Sequence, residues 1–522
     1  MTDNDKDTII IDSENAEERY FDRLMSDLEQ GDTYSTFHNS QLHIKSYRTK
    51  FCSYCYSRKD KLSELLKQFS KKKDTENKTF AERLYEDYTE FTKQHDFYSH
   101  KMRKPLIETT WEGYADIVQM LLESNCDVNE ADELGRTALF VACLLGKTEV
   151  VKVLLDHHAD HSLCDNDGQS PLLVASRKGY NDIVNALLQS SANVDKCDVK
   201  GDSPLFVAAS ENHLSTIKAL SKRITNVPKC NKLGHSPVFV ACINGREEVV
   251  RHLLTFLSQY ISTPDNEGRS PLFIACSKRH SGVVKLLLEN GADVSRCDQN
   301  KRSSLFIASS QGYEDIVNIL IQNKAEINQS DEEGMTPLFA ASEEGRTGTA
   351  KILVDNGADL NKSDNKKRTP LYAACMGGSL DIVKLLCKNK ASITLCNEEG
   401  SSPLFAACMQ GHFDIVEYLV ENGSNISEGD INGTTPLLAA IEKGYTDIVN
   451  FLINRGAEID QCDSLKRTPL HVSVVGEHVD IINVLINHGA LQTLTDNNNH
   501  TPFDLACKNS GDDIVKLLCP DK

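Results

Sequence analysis

The 522-residue sequence contains no long apolar segment. A membrane-spanning helix needs a run of about 18 or more apolar residues, and no such run is present. The first ten residues, MTDNDKDTII, are polar and acidic and do not resemble a secretory leader. We therefore expect neither insertion into a membrane nor passage through the secretory pathway.

Positive charge is also scarce, since 57 Lys and Arg residues stand against 76 Asp and Glu residues and give a net charge of −19. Binding to nucleic acid requires clustered Lys and Arg, so nucleic acid is excluded as the expected partner. Gly-rich phosphate loops, G-x-S-x-G elbows and kinase motifs are absent as well. We predict no enzymatic activity, no catalytic residues, no metal and no cofactor.

One structural unit, seen clearly in residues 402–423 (SPLFAACMQGHFDIVEYLVENG), recurs along the chain. Pro403 suits the first turn of a helix, where its missing N–H is not needed. Small residues such as Ala407 allow another backbone to approach, and Gly411 interrupts the helix. A second helix is then predicted by the apolar spacing of Ile415, Val416, Leu419 and Val420.

The position of Pro403 recurs every 33 residues, with a single step of 34. Self-similarity at such a period predicts a stacked repeat array, here of thirteen units. The recurring position is occupied by Pro105, Ala138, Pro171, Pro204, Pro237, Pro271, Ser304, Pro337, Pro370, Pro403, Pro436, Pro469 and Pro502.

The T-P-L-x-x-A motif, the mid-unit Gly and the LL-x-x-GA ending of these units resemble ankyrin repeats over residues 104–520. The resemblance implies an all-α dominated solenoid of about 13 stacked repeats, each a β-hairpin finger followed by two antiparallel helices. It also implies that the chain binds other proteins.

Two further regions precede the array. Residues 1–32 carry eleven acidic and three basic residues, a net charge of 3 − 11 = −8, which predicts a disordered acidic tail. Its short amphipathic helix, Phe21 to Leu28, either packs on the next segment or docks a partner. Residues 33–103 are basic and predict a small helical region of unassigned family. His38, His43, Cys52 and Cys55 leave zinc binding open there.

Most of the seventeen cysteines recur in fixed columns of the unit. A residue repeated once per unit faces its equivalent in the next, so we predict small, reduced core residues. Reduced thiols place the protein in the cytoplasm, with the nucleus as the alternative. The columns are Cys143, Cys242, Cys276, Cys375, Cys408 and Cys507; then Cys164, Cys197, Cys230, Cys297, Cys396 and Cys462; then Cys387 and Cys519.

The resemblance places a binding groove at the fingers and at the ends of the first helices. The two residues before the mid-unit Gly vary in type while the rest of the frame does not, which indicates specificity residues or drift at exposed positions. The position after the finger Gly column, to which Gly135 belongs, often holds Arg, and this Arg column either binds carboxylates of a partner or is merely tolerated there. Its members are Arg136, Arg269, Arg302, Arg368 and Arg467. The predicted partner-binding residues are Leu144, Arg177, Lys178, Ile243, Ser277, Lys278, Arg302, Glu343, Glu344, Arg368, Met376, Met409, Glu442 and Lys443.

Three other features give expectations. The finger Asp column is predicted to hold turns. An aromatic column, Phe140 to Phe405, is predicted to lie in the core where the family usually has His. Irregular units over residues 214–265 predict a local change in stacking angle. A basic cluster there is either a site for an acidic partner or a solvated surface, and it comprises Lys218, Lys222, Arg223, Lys229 and Lys232.

The favoured function is a non-enzymatic scaffold or adaptor that holds protein partners in the groove. The alternative is the substrate-recognition subunit of a multi-protein enzyme assembly, such as a ubiquitin ligase. In that alternative, residues 1–103 dock the catalytic machinery.

Overall fold

A computed structural model of the protein describes residues 104–123, 126–224, 229–509 and 512–519. These residues belong to one compact unit of the chain, Tyr98–Lys522. The predicted acidic tail, the basic region and the four possible zinc ligands His38, His43, Cys52 and Cys55 lie outside the described residues.

The described residues form thirteen pairs of α-helices, one pair for each unit predicted from the period. The first helices of the pairs are α1 (Pro105–Glu112), α3 (Ala138–Leu145), α5 (Pro171–Lys178), α7 (Pro204–Ser210), α9 (Pro237–Ile243), α11 (Pro271–Ser277), α13 (Ser304–Gln311), α15 (Pro337–Glu343), α17 (Pro370–Met376), α19 (Pro403–Gln410), α21 (Pro436–Lys443), α23 (Pro469–Val475) and α25 (Pro502–Asn509). The second helices are α2 (Ala115–Glu123), α4 (Thr148–Asp156), α6 (Asn181–Gln189), α8 (Leu214–Ser221), α10 (Glu247–Leu254), α12 (Ser281–Glu289), α14 (Glu314–Gln322), α16 (Thr347–Asp355), α18 (Leu380–Lys388), α20 (Phe413–Glu421), α22 (Thr446–Asn454), α24 (Val479–Asn487) and α26 (Asp512–Leu517).

Most first helices begin with a capping Ser or Thr that the sequence repeats, and several end at a left-handed Gly. Ser402 is the N-cap of α19, and its hydroxyl accepts a hydrogen bond of 3.2 Å from the backbone N–H of Phe405. Pro403 occupies the first turn. The helix ends at Gly411, which has a φ of +77° and whose N–H bonds back to Ala407.

The units stack in two layers around one continuous core. First helices pack on first helices and second helices on second helices of the neighbouring units. Ala406 and Ala407 of α19 are fully buried, as is the Ile415–Val416 pair of α20. One cluster of buried apolar side chains extends from Leu106 to Leu518. This continuity confirms a solenoid and excludes separate globular cores within the array.

The fingers are tight turns rather than the two-stranded hairpins that were expected. Within the described residues, antiparallel pairing is limited to the isolated bridges Ala131–Thr137 and Cys297–Ser303. The Asp column closes each turn, as predicted: the Asp298 carboxylate accepts the N–H groups of Asn300 at 3.0 Å and Arg302 at 2.9 Å.

Successive fingers are joined to one another by backbone hydrogen bonds. The N–H of Ile431 donates to the carbonyl of Glu399 in the preceding finger at 2.9 Å. Equivalent bonds recur at every finger junction from Asn166 to Asn497. The fingers therefore form a hydrogen-bonded row that fixes their mutual spacing.

The aromatic column lies in the core, as predicted. Phe239 and Phe339 are fully buried, and the other members are at most 8% exposed. His471 keeps the residue type usual in the family. Its Nε2 lies 3.0 Å from the carbonyl of His500 in the next finger, a hydrogen bond that Phe cannot make.

In the irregular region, the segment with the extra residue contains a 3₁₀ helix, Ser258–Tyr260, after α10. Residues 225–228 at the adjacent junction are not described, so the change in stacking angle stays a prediction. Across the described part of the chain, no helix has both the length and the apolar character needed to cross a membrane.

The cysteine prediction is right for one column and wrong for the others. Cys143, Cys242, Cys276, Cys375 and Cys408 are buried between first helices, whereas Cys507 is exposed because it lies in the last unit. The second column lies at the base of the fingers, where it is half-exposed or exposed. Cys387 on α18 is half-exposed, and Cys519, two residues after the end of α26, is exposed. All fifteen described cysteines are free thiols.

Candidate functional site

The fold brings two of the predicted columns together on one face. We define the finger-side face as the residue after each finger Gly together with the two residues before each mid-unit Gly. The Arg368 guanidinium lies 3.9 Å from the Glu343 carboxylate of the preceding unit. Within unit 3, Arg177 donates to the Gln169 side chain at 2.6 Å. These contacts show that both columns contribute to a single surface.

The Arg column is already paired with carboxylates of its own fingers. Arg302 lies 2.7 Å from Asp298, and Arg368 lies 2.7 Å from Asp364. Arg136, Arg269 and Arg467 make the same contact at 2.6–2.7 Å. Each pair joins residues four apart across one turn. The guanidinium groups are therefore fixed in place, and their predicted role in holding a partner's carboxylate stays a prediction.

Four of the predicted residues are apolar, and the fold exposes them to different extents. Met376 is 37% exposed, whereas Leu144, Ile243 and Met409 are partly buried and pack against the core. Met376 and Met409 occupy equivalent positions of adjacent units, and the Gln410 amide nitrogen lies 3.8 Å from the Met376 sulfur. The pair defines an apolar patch in units 9 and 10.

Gly377 allows the first helix of unit 9 to approach its neighbour. A Cβ atom at this position would lie 2.6 Å from the carbonyl oxygen of Glu343. We call the pair Met376 and Met409 the methionine patch.

Charged residues flank the methionine patch. Glu343 and Glu344 lie in unit 8, and Glu442 and Lys443 lie in unit 11; all four are exposed. Partial desolvation raises the pKa of the Glu343 carboxyl, the Arg368 cation opposes this rise, and Glu344 and Asp364 add to it. Lys178 and Lys278 are exposed, Arg177 is half-buried, and the half-buried Ser277 hydroxyl donates to the carbonyl of Ile274 at 2.9 Å.

Sequence reasoning missed a column that ties the units together. At nine unit junctions the residue before the second helix lies against the mid-unit Gly of the preceding unit, and several of these residues donate to the end of its first helix. His280 Nε2 lies 2.9 Å from the carbonyl of Ile243, and Arg346 Nε donates to Ser310 at 3.1 Å. The recurrence of Lys, Tyr, His or Arg after the Gly was the available signal.

In the described ranges, no group of three or more His, Cys, Asp and Glu side chains is arranged to hold a metal ion. The sequence places His157, His158, His161 and Cys164 close together at a spacing that resembles a metal cluster, but they do not form such a group in the structure. Burial raises the pKa of the core thiols such as Cys143 and Cys375, which keeps them protonated.

The helix pairs, the fingers and the continuous core define an α-solenoid repeat protein. The family model described as "Ankyrin repeats (3 copies)" matches residues 106–198, 190–261, 205–298, 255–331, 305–397, 389–463 and 455–522. The chain therefore belongs to the ankyrin-repeat family.

Among solved structures, the chain is similar to the crystal structure of the human ASB11 ankyrin repeat domain. The identity is 29%, the match covers 42% of this chain and 100% of that chain, and the TM-score is 0.39. No curated protein matches the chain. Ankyrin repeats are protein–protein interaction modules and are generally non-enzymatic, so the array is a protein-interaction domain.

Proposed function

We propose that the protein is a non-enzymatic scaffold or adaptor that binds other proteins through the finger-side face. One observation carries the proposal. The backbone of this face is held in register by the finger hydrogen bonds, while its side chains differ from unit to unit. A rigid frame with variable exposed side chains is suited to selective recognition.

The methionine patch is the part of this face on which we centre the binding site. Met is flexible and polarizable, and it adapts its shape to apolar side chains of a partner. Polar and charged neighbours on both sides give the patch the rim that interfaces commonly have around an apolar centre. Glu343 and Glu344 on one side and Lys443 on the other would orient the bound segment.

Crosslinking mass spectrometry on the protein in cells tests the location. Lys178, Lys278 and Lys443 lie on the finger-side face, whereas Lys285, Lys351 and Lys388 are exposed on second helices. We expect crosslinks to partner proteins mainly at the first set. Crosslinks confined to the second set would contradict binding through the finger-side face.

Introducing charge into the methionine patch tests whether its two residues contact the partner. Changing Met376→Asp together with Met409→Asp should weaken partner binding at least about tenfold, because an apolar contact is replaced by a desolvated carboxylate. Because Met409 packs partly against the core, circular dichroism must show that the fold is kept. The matched control is Leu491→Asp, at a 51% exposed apolar position outside this face. Partners retained equally by both variants would remove the patch from the site.

The alternative role in an enzyme assembly depends on residues 1–103, which lie outside the described residues. It stays a prediction, as does the cytoplasmic or nuclear location. Affinity capture with residues 1–103 and with the array would show which part recruits catalytic components.

A further inference from the structure

A cleft lies between the second helices α6 and α8, in the layer that does not carry the finger-side face. Its volume is about 320 Å³. Leu188 from α6 and Ala219 from α8 supply its apolar lining. This volume accepts one or two side chains of a peptide and not a folded domain.

A small residue, Ala219, lines the cleft at a helix position that is large in most units. Ala219 occupies the sixth position of its second helix, and Ala186 occupies the same position of α6. In every other unit this position carries a larger side chain, namely Met120, Val153, His252, Leu286, Ile319, Ile352, Leu385, Tyr418, Phe451, Val484 and Leu517. Units 3 and 4 therefore carry the smallest side chains at this position, where the cleft lies.

The rim of the cleft consists of hydrogen-bond donors and cations. Lys218, Lys222 and Arg223 lie on the α8 side, and the amides of Asn185 and Gln189 lie on the α6 side. No acidic residue lines the cleft, and none of the three cations forms an ion pair with any residue that the structure describes. Elsewhere in this layer, Arg251 on α10 lies 3.2 Å from Glu247, and Arg455, directly after α22, lies 3.2 Å from Glu421.

The positive field of this rim reaches the next unit. His252 on α10 has a pKa lowered first by burial and then by the Lys218 cation. An unneutralised basic rim on a chain of net charge −19 is a local exception that attracts acidic segments and orients them.

We propose that this cleft is a second docking site, which binds an acidic peptide segment of a partner protein. Carboxylates of the segment pair with Lys218, Lys222 and Arg223, and an apolar side chain enters the gap above Leu188 and Ala219. The site is separate from the finger-side face, so a partner could engage both layers of the array.

Fluorescence anisotropy with the full chain tests whether the basic rim of the cleft binds an acidic peptide. The probe is a labelled peptide of alternating Glu and Leu residues, and its comparison is the same peptide with Gln for Glu. The charge reversal K218E/K222E/R223E should weaken binding of the Glu peptide at least about tenfold, since charge-assisted hydrogen bonds are lost. The control K285E/K351E/K388E makes the same change in net charge at exposed lysines of other second helices.

A loss that is equal in the two triple variants would overturn the proposal, because it would show attraction to the overall charge and not to the cleft. Measurement at low and at physiological salt adds a second criterion. Binding that survives physiological salt supports a built site, and binding confined to low salt overturns it.

A variant that fills the gap tests the apolar part. Ala219→Leu keeps all three cations and introduces the residue type that unit 6 carries at Leu286. Binding of the Glu–Leu peptide should fall several-fold, and unchanged affinity would overturn insertion into the cleft. Unaltered circular dichroism confirms that the fold is kept.

The chain's own acidic segment is the competing occupant. If deletion of residues 1–32 leaves the affinity for the peptide unchanged, the result supports an external partner. If the deletion raises the affinity, the chain's own segment occupies the cleft and the assignment to a partner is overturned.

Discussion

The mid-unit glycines offer a quantitative test of how the units are coupled. Gly411 has a φ of +77°, and a Cβ atom there would lie 2.6 Å from the ring of Tyr445 in the next unit. Gly423 has a φ of +88° but has no heavy atom within 4 Å of the same hypothetical Cβ. The two residues therefore share the backbone strain and differ in the contact between units.

Gly423→Ala should destabilise its region by about 1 kcal/mol, the cost of a left-handed conformation for an L-residue. Gly411→Ala carries the same cost and a further ~1–3 kcal/mol from overpacking against Tyr445. The lower entropy of the unfolded chain favours both Ala variants equally, so it does not affect their difference.

Hydrogen exchange measured by mass spectrometry reports the effect unit by unit. Because ~1.4 kcal/mol corresponds to a factor of ten, protection of residues 403–454 should fall about 5- to 140-fold more in Gly411→Ala than in Gly423→Ala. Adding Tyr445→Ala to Gly411→Ala should recover most of the difference. Equal effects of the two glycine variants, or no recovery, would refute the idea that this ring couples units 10 and 11.

Two further predictions concern the core and the fingers. Cysteine labelling near neutral pH, followed by peptide mapping, should modify the exposed Cys462 and Cys519 first and spare Cys375 until unfolding. The reason is that burial raises the pKa of the Cys375 thiol and lowers its thiolate fraction. Labelling of Cys375 as fast as Cys462 would contradict its place in the core. Asp298→Ala should destabilise its finger by roughly 1–3 kcal/mol, because the two backbone N–H groups and the ion pair with Arg302 all lose their partner. Asp298→Asn should destabilise the finger by less, because its amide oxygen still accepts the two N–H groups and only the ion pair is lost. Hydrogen exchange of residues 296–303 measures both, and identical loss in the two variants would mean that the backbone bonds contribute nothing.

Much of the fold could be read from local signals that do not depend on the neighbours. Pro403 at a helix start, Gly411 at its end and the stripe Ile415, Val416 and Leu419 each specify conformation or burial within one unit. Because the unit recurs thirteen times, the prediction made for one unit applies to the others. The same reasoning failed for the cysteines of the second and third columns. Recurrence at one position shows that residues are structurally equivalent, but it does not show how deeply they are buried.

Only part of the candidate site could be predicted from the sequence. Variation at Met376 and Met409 pointed to the face that the fold exposes there. The sequence left the Arg column undecided, and the structure pairs Arg302 with Asp298 in its own finger. The predicted hairpin strands are largely replaced by backbone bonds between fingers, which no side-chain pattern reports because every residue type has the same N–H and C=O.

The period, the helix boundaries and the buried stripes were determined by the sequence alone, since they follow from capping, turn preference and apolar spacing between near neighbours. Contacts between residues 25 to 37 positions apart were decided by the tertiary structure: the Tyr445 ring over Gly411, the Arg368–Glu343 pair and the gap between α6 and α8. Such contacts depend on how closely one unit approaches the next, and that distance is set jointly by side chains on both.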